Sequence, residues 1–101
     1  MHMYTLFLSE STLTLPNLTK VLENVDWYDV GYKMDIPKAQ RDMIRQQRAS
    51  GDDESQCRQK CWELYIKEHP LPSWKQVAFA LLWNDCIEEL EVVQKKYLKG
   101  G

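Results

Sequence analysis

The chain has 101 residues, 44% of them hydrophobic and 28% charged, which suits one folded domain around one core and excludes both a two-domain protein and a disordered one. A net charge of −2 and a pI near 5.6 exclude a global field strong enough to drive the whole molecule onto nucleic acid or an anionic membrane. Three cysteines (Cys57, Cys61, Cys86) are too few and odd in number for the disulfide framework of a small secreted domain, and they read as free thiols in a reducing, cytoplasmic setting.

In chain order, Met1-His2-Met3 reads as an expression scar and Met3 to Leu13 as an arm. Tyr4, Leu6 and Leu8 alternate within it, which predicts an extended segment lying across whatever follows. The run Leu6-Phe7-Leu8 is far too short for a signal core or a membrane span, so no membrane partner is expected. The layout is therefore 1–12 scar and arm, 13–99 globular domain, and 100–101 a C-terminal tail or linker start.

From Leu15 to Asn24, Leu18, Val21, Leu22 and Val25 share one helical face, with Pro16 in the first turn where a missing N–H is harmless. Trp27, Val30, Gly31 and Met34 repeat that spacing in a short second helix, which Ile36-Pro37 ends because the residue before proline is pushed out of helical space. Pro37 opens a third helix with apolar positions Ala39 and Met43, and Ile44 beside them. The polar run Ala49-Ser50-Gly51-Asp52-Asp53 is a loop whose acids suit the start of the next helix. Cys57, Cys61, Leu64 and Tyr65 line the fourth helix up to His69-Pro70-Leu71-Pro72. Ser73 and Gln76 form a capping-box pattern for the fifth, whose inward face is Trp74, Val77, Ala78, Leu81 and Leu82. Asp85 and Glu88 offer the same pattern for a sixth, with Cys86, Leu90, Val93 and Tyr97 as its stripe. The expected architecture is all-α, a six-helix antiparallel bundle with a core of Leu18, Val21, Leu22, Trp27, Met43, Cys61, Tyr65, Trp74, Val77, Leu81 and Leu90.

Catalytic chemistry finds little material. His2 lies in the scar and His69 in a helix-ending turn, with no fixed orienting group for a cysteine nucleophile, so no enzyme is expected. Gly31 and Gly51 are the only interior glycines, which leaves no phosphate-cradling loop. Cys57 and Cys61 sit four residues apart, a spacing compatible with metal binding, but a closed zinc site wants four ligands. Buried apolar thiols are the expected reading, and no cofactor or metal is expected.

The charged residues are segregated. Lys38, Arg41, Arg45 and Arg48 fall within about a quarter of the third helix's circumference at 100° per residue, opposite Ala39 and Met43. Asp85, Glu88, Glu89 and Glu91 gather at the start of the sixth helix, and Asp52-Asp53-Glu54 form a second acidic knot. Separate basic and acidic faces on a molecule of small net charge suit head-to-tail contact with copies or relatives of itself, closing into a ring or growing as a helical filament. The interface candidates are Lys38, Arg41, Arg45, Arg48, Asp85, Glu88 and Glu89. The alternative is a helical nucleic-acid-binding module that lays the third helix along phosphates; the acidic patches and low pI speak against it, and no nucleic-acid partner is expected.

The order of several pieces resembles the death domain family over about Leu13 to Leu98. They are Leu18-x-x-Val21-Leu22, Trp27-Tyr28-x-x-Gly31-x-x-Met34-x-Ile36-Pro37, Cys61-Trp62-x-x-Tyr65-Ile66, and Pro72-Ser73-Trp74-x-x-Val77-x-x-Ala80-Leu81. The resemblance implies a Greek-key death fold without cofactor or catalysis. It also implies homotypic binding to other death domains in cytoplasmic complexes of apoptosis or innate immunity. Caspase-recruitment, death-effector and pyrin domains share that fold, and Trp74 after Pro72-Ser73 points to the death domain proper.

Overall fold

The computed structural model describes residues 9–99. These contain six helices, α1 (Leu15–Val21), α2 (Trp27–Lys33), α3 (Lys38–Ala49), α4 (Glu54–Glu68), α5 (Trp74–Trp83) and α6 (Ile87–Lys96). Two strands of two residues each, β1 (Ser9–Glu10) and β2 (Leu98–Lys99), pair antiparallel with Ser9 opposite Lys99 and Glu10 opposite Leu98. The described residues thus form an all-α six-helix bundle tied off by a short ribbon at its ends. Residues 3–8 of the predicted extended arm lie outside the described residues, while Ser9 and Glu10 are extended.

Helix boundaries follow from local chemistry. Thr14, Asp26, Asp53 and Ser73 accept backbone N–H bonds as N-caps, which satisfies donors that the first turn leaves orphaned. Asp53 and Gln56 form a reciprocal capping box. The box expected at Ser73 is only half made, because the Gln76 side chain turns away to accept from the Tyr65 hydroxyl at 2.7 Å. The box expected at Asp85 is absent, and Cys86 precedes α6 without a side-chain cap.

Asp85 instead terminates α5. Its φ is 56°, and the paired bonds from Cys86 N–H to Leu81 O at 2.9 Å and from Asp85 N–H to Leu82 O at 3.2 Å make a Schellman turn. Asp35 does the same after α2 with φ 62°, and Gly51 after α3 with φ 123°. A short polar side chain tolerates the left-handed region better than a bulky one, so two aspartates serve where glycine is usual.

Non-sequential packing closes the core: α2 lies on α5, α3 on α4, and α1 on both α4 and α6. Trp74 at the start of α5 stacks on Tyr97 just beyond α6, with centroids 4.0 Å apart and planes 7° apart, so these two helices run antiparallel. Leu18, Leu22, Trp27, Cys61, Tyr65, Trp74, Val77 and Leu81 are buried as expected, together with Trp62 and Ala80. Val21 and Leu90 pack at the core's edge. Burying each large apolar side chain contributes on the order of 1.5 to 3 kcal/mol.

Two core expectations are corrected. Met43 is 61% exposed, and its neighbour Ile44 is buried in its place. Leu82, expected on the inner face of α5, is 56% exposed, because the face that meets α2 and α6 carries Val77, Ala80 and Leu81. Helix α1 stops at Val21 rather than Asn24, and the chain beyond it turns Val25 into the core.

Candidate protein interface

The basic stripe expected on α3 does not face solvent as one surface. Arg41 is only 4% exposed and is part of the bundle. Its Nε donates to Ile36 O at 2.9 Å and its Nη1 to Tyr28 O at 3.0 Å, while the guanidinium lies over the Tyr28 ring at 4.5 Å. The cause is a shortage of donors. The chain breaks between α2 and α3 at Ile36-Pro37, and a carbonyl freed there, if buried, must be paired. Arginine, with a rigid fork and an apolar stem, reaches it from α3. That rotation of α3 also turns Met43 outward and Ile44 inward, so the two corrections on this helix share one origin.

The other three cations remain on the outer surface. Lys38 Nζ bonds Asp42 Oδ2 at 2.8 Å, four residues along the same helix. The Asp42 carboxyl is held below its ordinary range by the Lys38 bond first and by the Tyr28 hydroxyl second, and Lys38 is held above its own by Asp42. Arg45 stacks its guanidinium 3.6 Å from the Tyr28 ring centroid. Arg48 bonds Glu54 at 3.1 Å. Arg45 and Arg48 share a cleft of about 350 Å³ with Arg58, which α4 contributes and whose Nε donates to Val25 O at 3.4 Å. Asp26 and Glu54 line the same cleft. Arg58 was not singled out in the sequence because it is separated from the α3 cations by a loop and a turn of helix. Only the packing of α3 on α4 joins them.

The acidic candidates lie elsewhere. Glu88 and Glu89 open α6, where the positive end of the helix dipole favours them, and they line a separate cleft of about 260 Å³ with Lys20, Glu23 and Lys96. Asp85 is exposed on the turn before α6 but does not line that cleft. Among the described residues, ion pairs join Lys38 to Asp42, Arg48 to Glu54, Lys60 to Asp52 and Lys75 to Glu10, and none of these four involves Asp85, Glu88 or Glu89.

A third surface escaped the sequence reading. Phe79, Leu82 and Trp83 on α5, Ile87 at the start of α6 and Tyr32 on α2 are all exposed. The signal was present: Val77 to Trp83 is an unbroken run of seven apolar residues, which leaves α5 apolar on its outer side as well as its inner one.

Cys57, Cys61 and Cys86 are free, and burial pushes all three thiols up, Cys61 to about 12. Among the described residues no group of three or more His, Cys, Asp or Glu side chains is arranged to hold a metal ion, and no helix is long and apolar enough to cross a membrane.

No protein-family model, curated protein or solved structure matches the chain.

Proposed function

We propose that this chain is a death domain, a non-catalytic module of cytoplasmic signalling complexes of the apoptotic or innate-immune kind that self-associates or binds other death domains. The observation that carries the reading is an uneven distribution of charge: Arg45, Arg48 and Arg58 from two helices outnumber Asp26 and Glu54 in one cleft, while Asp85, Glu88 and Glu89 gather around the start of α6. Opposite charges on different faces of one small domain suit a heterologous contact that repeats from copy to copy, either closing into a ring or running on as a helix. Further support comes from six short helices in which α1 touches both α4 and α6 while α2 lies on α5, an arrangement that fits a Greek-key bundle. A nucleic-acid binder fits less well, since Asp26, Asp42 and Glu54 stand among the same cations and would repel phosphates.

The test is charge reversal that spares Arg41. Arg45→Glu with Arg48→Glu should abolish the oligomers seen by light scattering or electron microscopy at low salt, with helical circular dichroism retained. Mixing it with a Glu88→Arg, Glu89→Arg variant should restore part of the assembly. The same oligomers at the same concentration in the first variant would sink the proposal.

A further inference from the structure

The basic and acidic clefts are neighbours. Asn24, exposed on the turn between α1 and α2, lines both of them. The Ser11 N–H donates to Tyr97 O at 2.9 Å, which sets the start of α1 beside the end of α6, so the chain past the end of α1 returns toward the start of α6. Glu23 and Asn24 accordingly share the acidic cleft with Glu88 and Glu89. Asp26, on the wall of the basic cleft, lies within electrostatic reach of the Cys86 thiol before α6, which burial raises first and Glu89, Asp85 and Asp26 raise further.

The charges on either side of Asn24 are not satisfied within the chain. Arg48 pairs with Glu54, and the Asp26 carboxylate accepts the Tyr28 and Asp29 N–H groups at 3.1 and 3.3 Å. Arg45 stacks on the Tyr28 ring, and Arg58 donates through Nε to Val25 O at 3.4 Å. The other N–H groups of these two guanidiniums have no acceptor among the described residues. Glu23, Glu88 and Glu89 likewise form no ion pair among the described residues, although Lys20 and Lys96 line their cleft.

We propose that the two clefts and Asn24 between them form one docking surface for a second copy of this chain, related to the first by a two-fold axis at Asn24, so that the basic cleft of each copy receives Glu88 and Glu89 of the other. This inference rests on the charged self-assembly proposed above and fixes its extent: the ring closes at two copies. A two-fold operation exchanges whatever flanks its axis. A basic cleft on one side and an acidic cleft on the other are therefore brought together twice in a single contact, and neither is left over to recruit a third copy. Clefts on opposite sides of the molecule could only continue head to tail. Parallel N–H groups of a guanidinium suit a carboxylate, so the pairing fixes direction as well as supplying attraction.

Sedimentation equilibrium of the full chain at about 0.01 M salt, where the screening length is about 30 Å, tests the extent of assembly. With rising concentration, from micromolar to millimolar, the mass should level off at two copies. Asn24→Cys tests the axis, because a residue on a two-fold axis meets its own counterpart. Under mild oxidation this exposed position should cross-link into a covalent dimer, and adding Arg45→Glu with Arg48→Glu should slow the reaction at least tenfold. Wild type, which keeps its own three thiols, is the control. Mass that climbs past two copies overturns the inference and leaves the charged self-assembly standing. A chain that stays monomeric throughout overturns both the dimer and self-association. A cross-linking rate indifferent to the arginine reversal also sinks the two-fold contact, since it reports random collision. The mass is measured on the unaltered chain, so a poorly folded variant does not shelter the proposal.

Discussion

The Glu10 carboxylate accepts the backbone N–H of Trp74 at 2.7 Å, joining the N-terminal strand to the first turn of a helix 64 positions further along the chain. The same carboxylate accepts from the Ser73 hydroxyl at 3.1 Å and from the Lys75 N–H at 3.3 Å. Helix α5 therefore has two caps, Ser73 from within and Glu10 from the arm. A carboxylate at this end is favoured by the orphan donors and by the helix dipole together. Trp74, which Glu10 fixes, is also the ring that stacks on Tyr97.

Glu10→Ala should for that reason destabilise the domain by about 1 kcal/mol, the usual effect of losing a helix cap. Hydrogen exchange should report the same change locally, with the Trp74 and Lys75 amides exchanging faster and the α3 amides unaffected. Unaltered exchange at Trp74 would show that the arm contributes nothing to α5.

Core substitutions should separate Trp74 from Met43. Trp74 has no exposed surface and lies between α5 and Tyr97, so Trp74→Ala should cost on the order of 3 to 5 kcal/mol. Met43 is 61% exposed, so Met43→Ala should stay within about 0.5 kcal/mol of wild type. Urea denaturation midpoints check both, and a large loss at Met43 would contradict the rotation of α3 described above.

That rotation marks where the sequence stops being readable. Periodicity located all six helices, because Leu18, Leu22, Val30, Val77 and Leu81 repeat at helical spacing and are buried. On α3 it failed, since a hydrophobicity argument ranks methionine above arginine for the inside. The buried face is Arg41 and Ile44 because the Ile36 carbonyl, freed at the break before Pro37, takes its donor from Arg41, and that carbonyl lies outside α3. Asp85 misled for a similar reason. Its side chain suits an N-cap, but its backbone carries the left-handed turn that ends α5, and residue type alone does not distinguish the two roles. The cleft that joins Arg58 to Arg45 and Arg48 arises only from packing, whereas the apolar outer face of α5 was written in the run Val77 to Trp83.

Arg41 and Arg45 are four residues apart and should respond oppositely to truncation. Arg41→Ala leaves the Ile36 carbonyl without its donor, at a cost of about 1 to 3 kcal/mol for a buried group left unpaired, and removes an additional bond to the Tyr28 carbonyl. Arg41→Lys should recover little, because a single ammonium cannot reproduce the two-point fork. Arg45→Ala loses an exposed ring contact with Tyr28 worth about 0.5 to 1 kcal/mol. Thermal melts of the three variants should therefore rank Arg45→Ala as the most stable, and equal melting of Arg41→Ala and Arg45→Ala would refute the structural role of Arg41.

The buried thiol of Cys61 makes stability sensitive to alkali. Burial raises it from 9.0 to about 12, so between those values the folded chain keeps the proton while the unfolded chain gives it up. The unfolded state then binds fewer protons, and the sign of the linkage is a loss of stability as pH rises; below pH 9 the contribution is fully present. The limiting slope is about 1.4 kcal/mol per pH unit for one such group. Cys57, Cys86 and Tyr65 are shifted upward by burial as well and add to the loss with the same sign. Cys61→Ala removes its own share, so its unfolding free energy in urea should fall less steeply with pH than that of wild type, even though it starts lower because a small cavity is left. Thiol titration provides the companion measurement: Cys57 and Cys61 should resist an alkylating reagent in the folded protein and react once urea unfolds it. Parallel alkaline slopes for wild type and Cys61→Ala would show that this thiol ionises as readily in the folded chain as in the unfolded one.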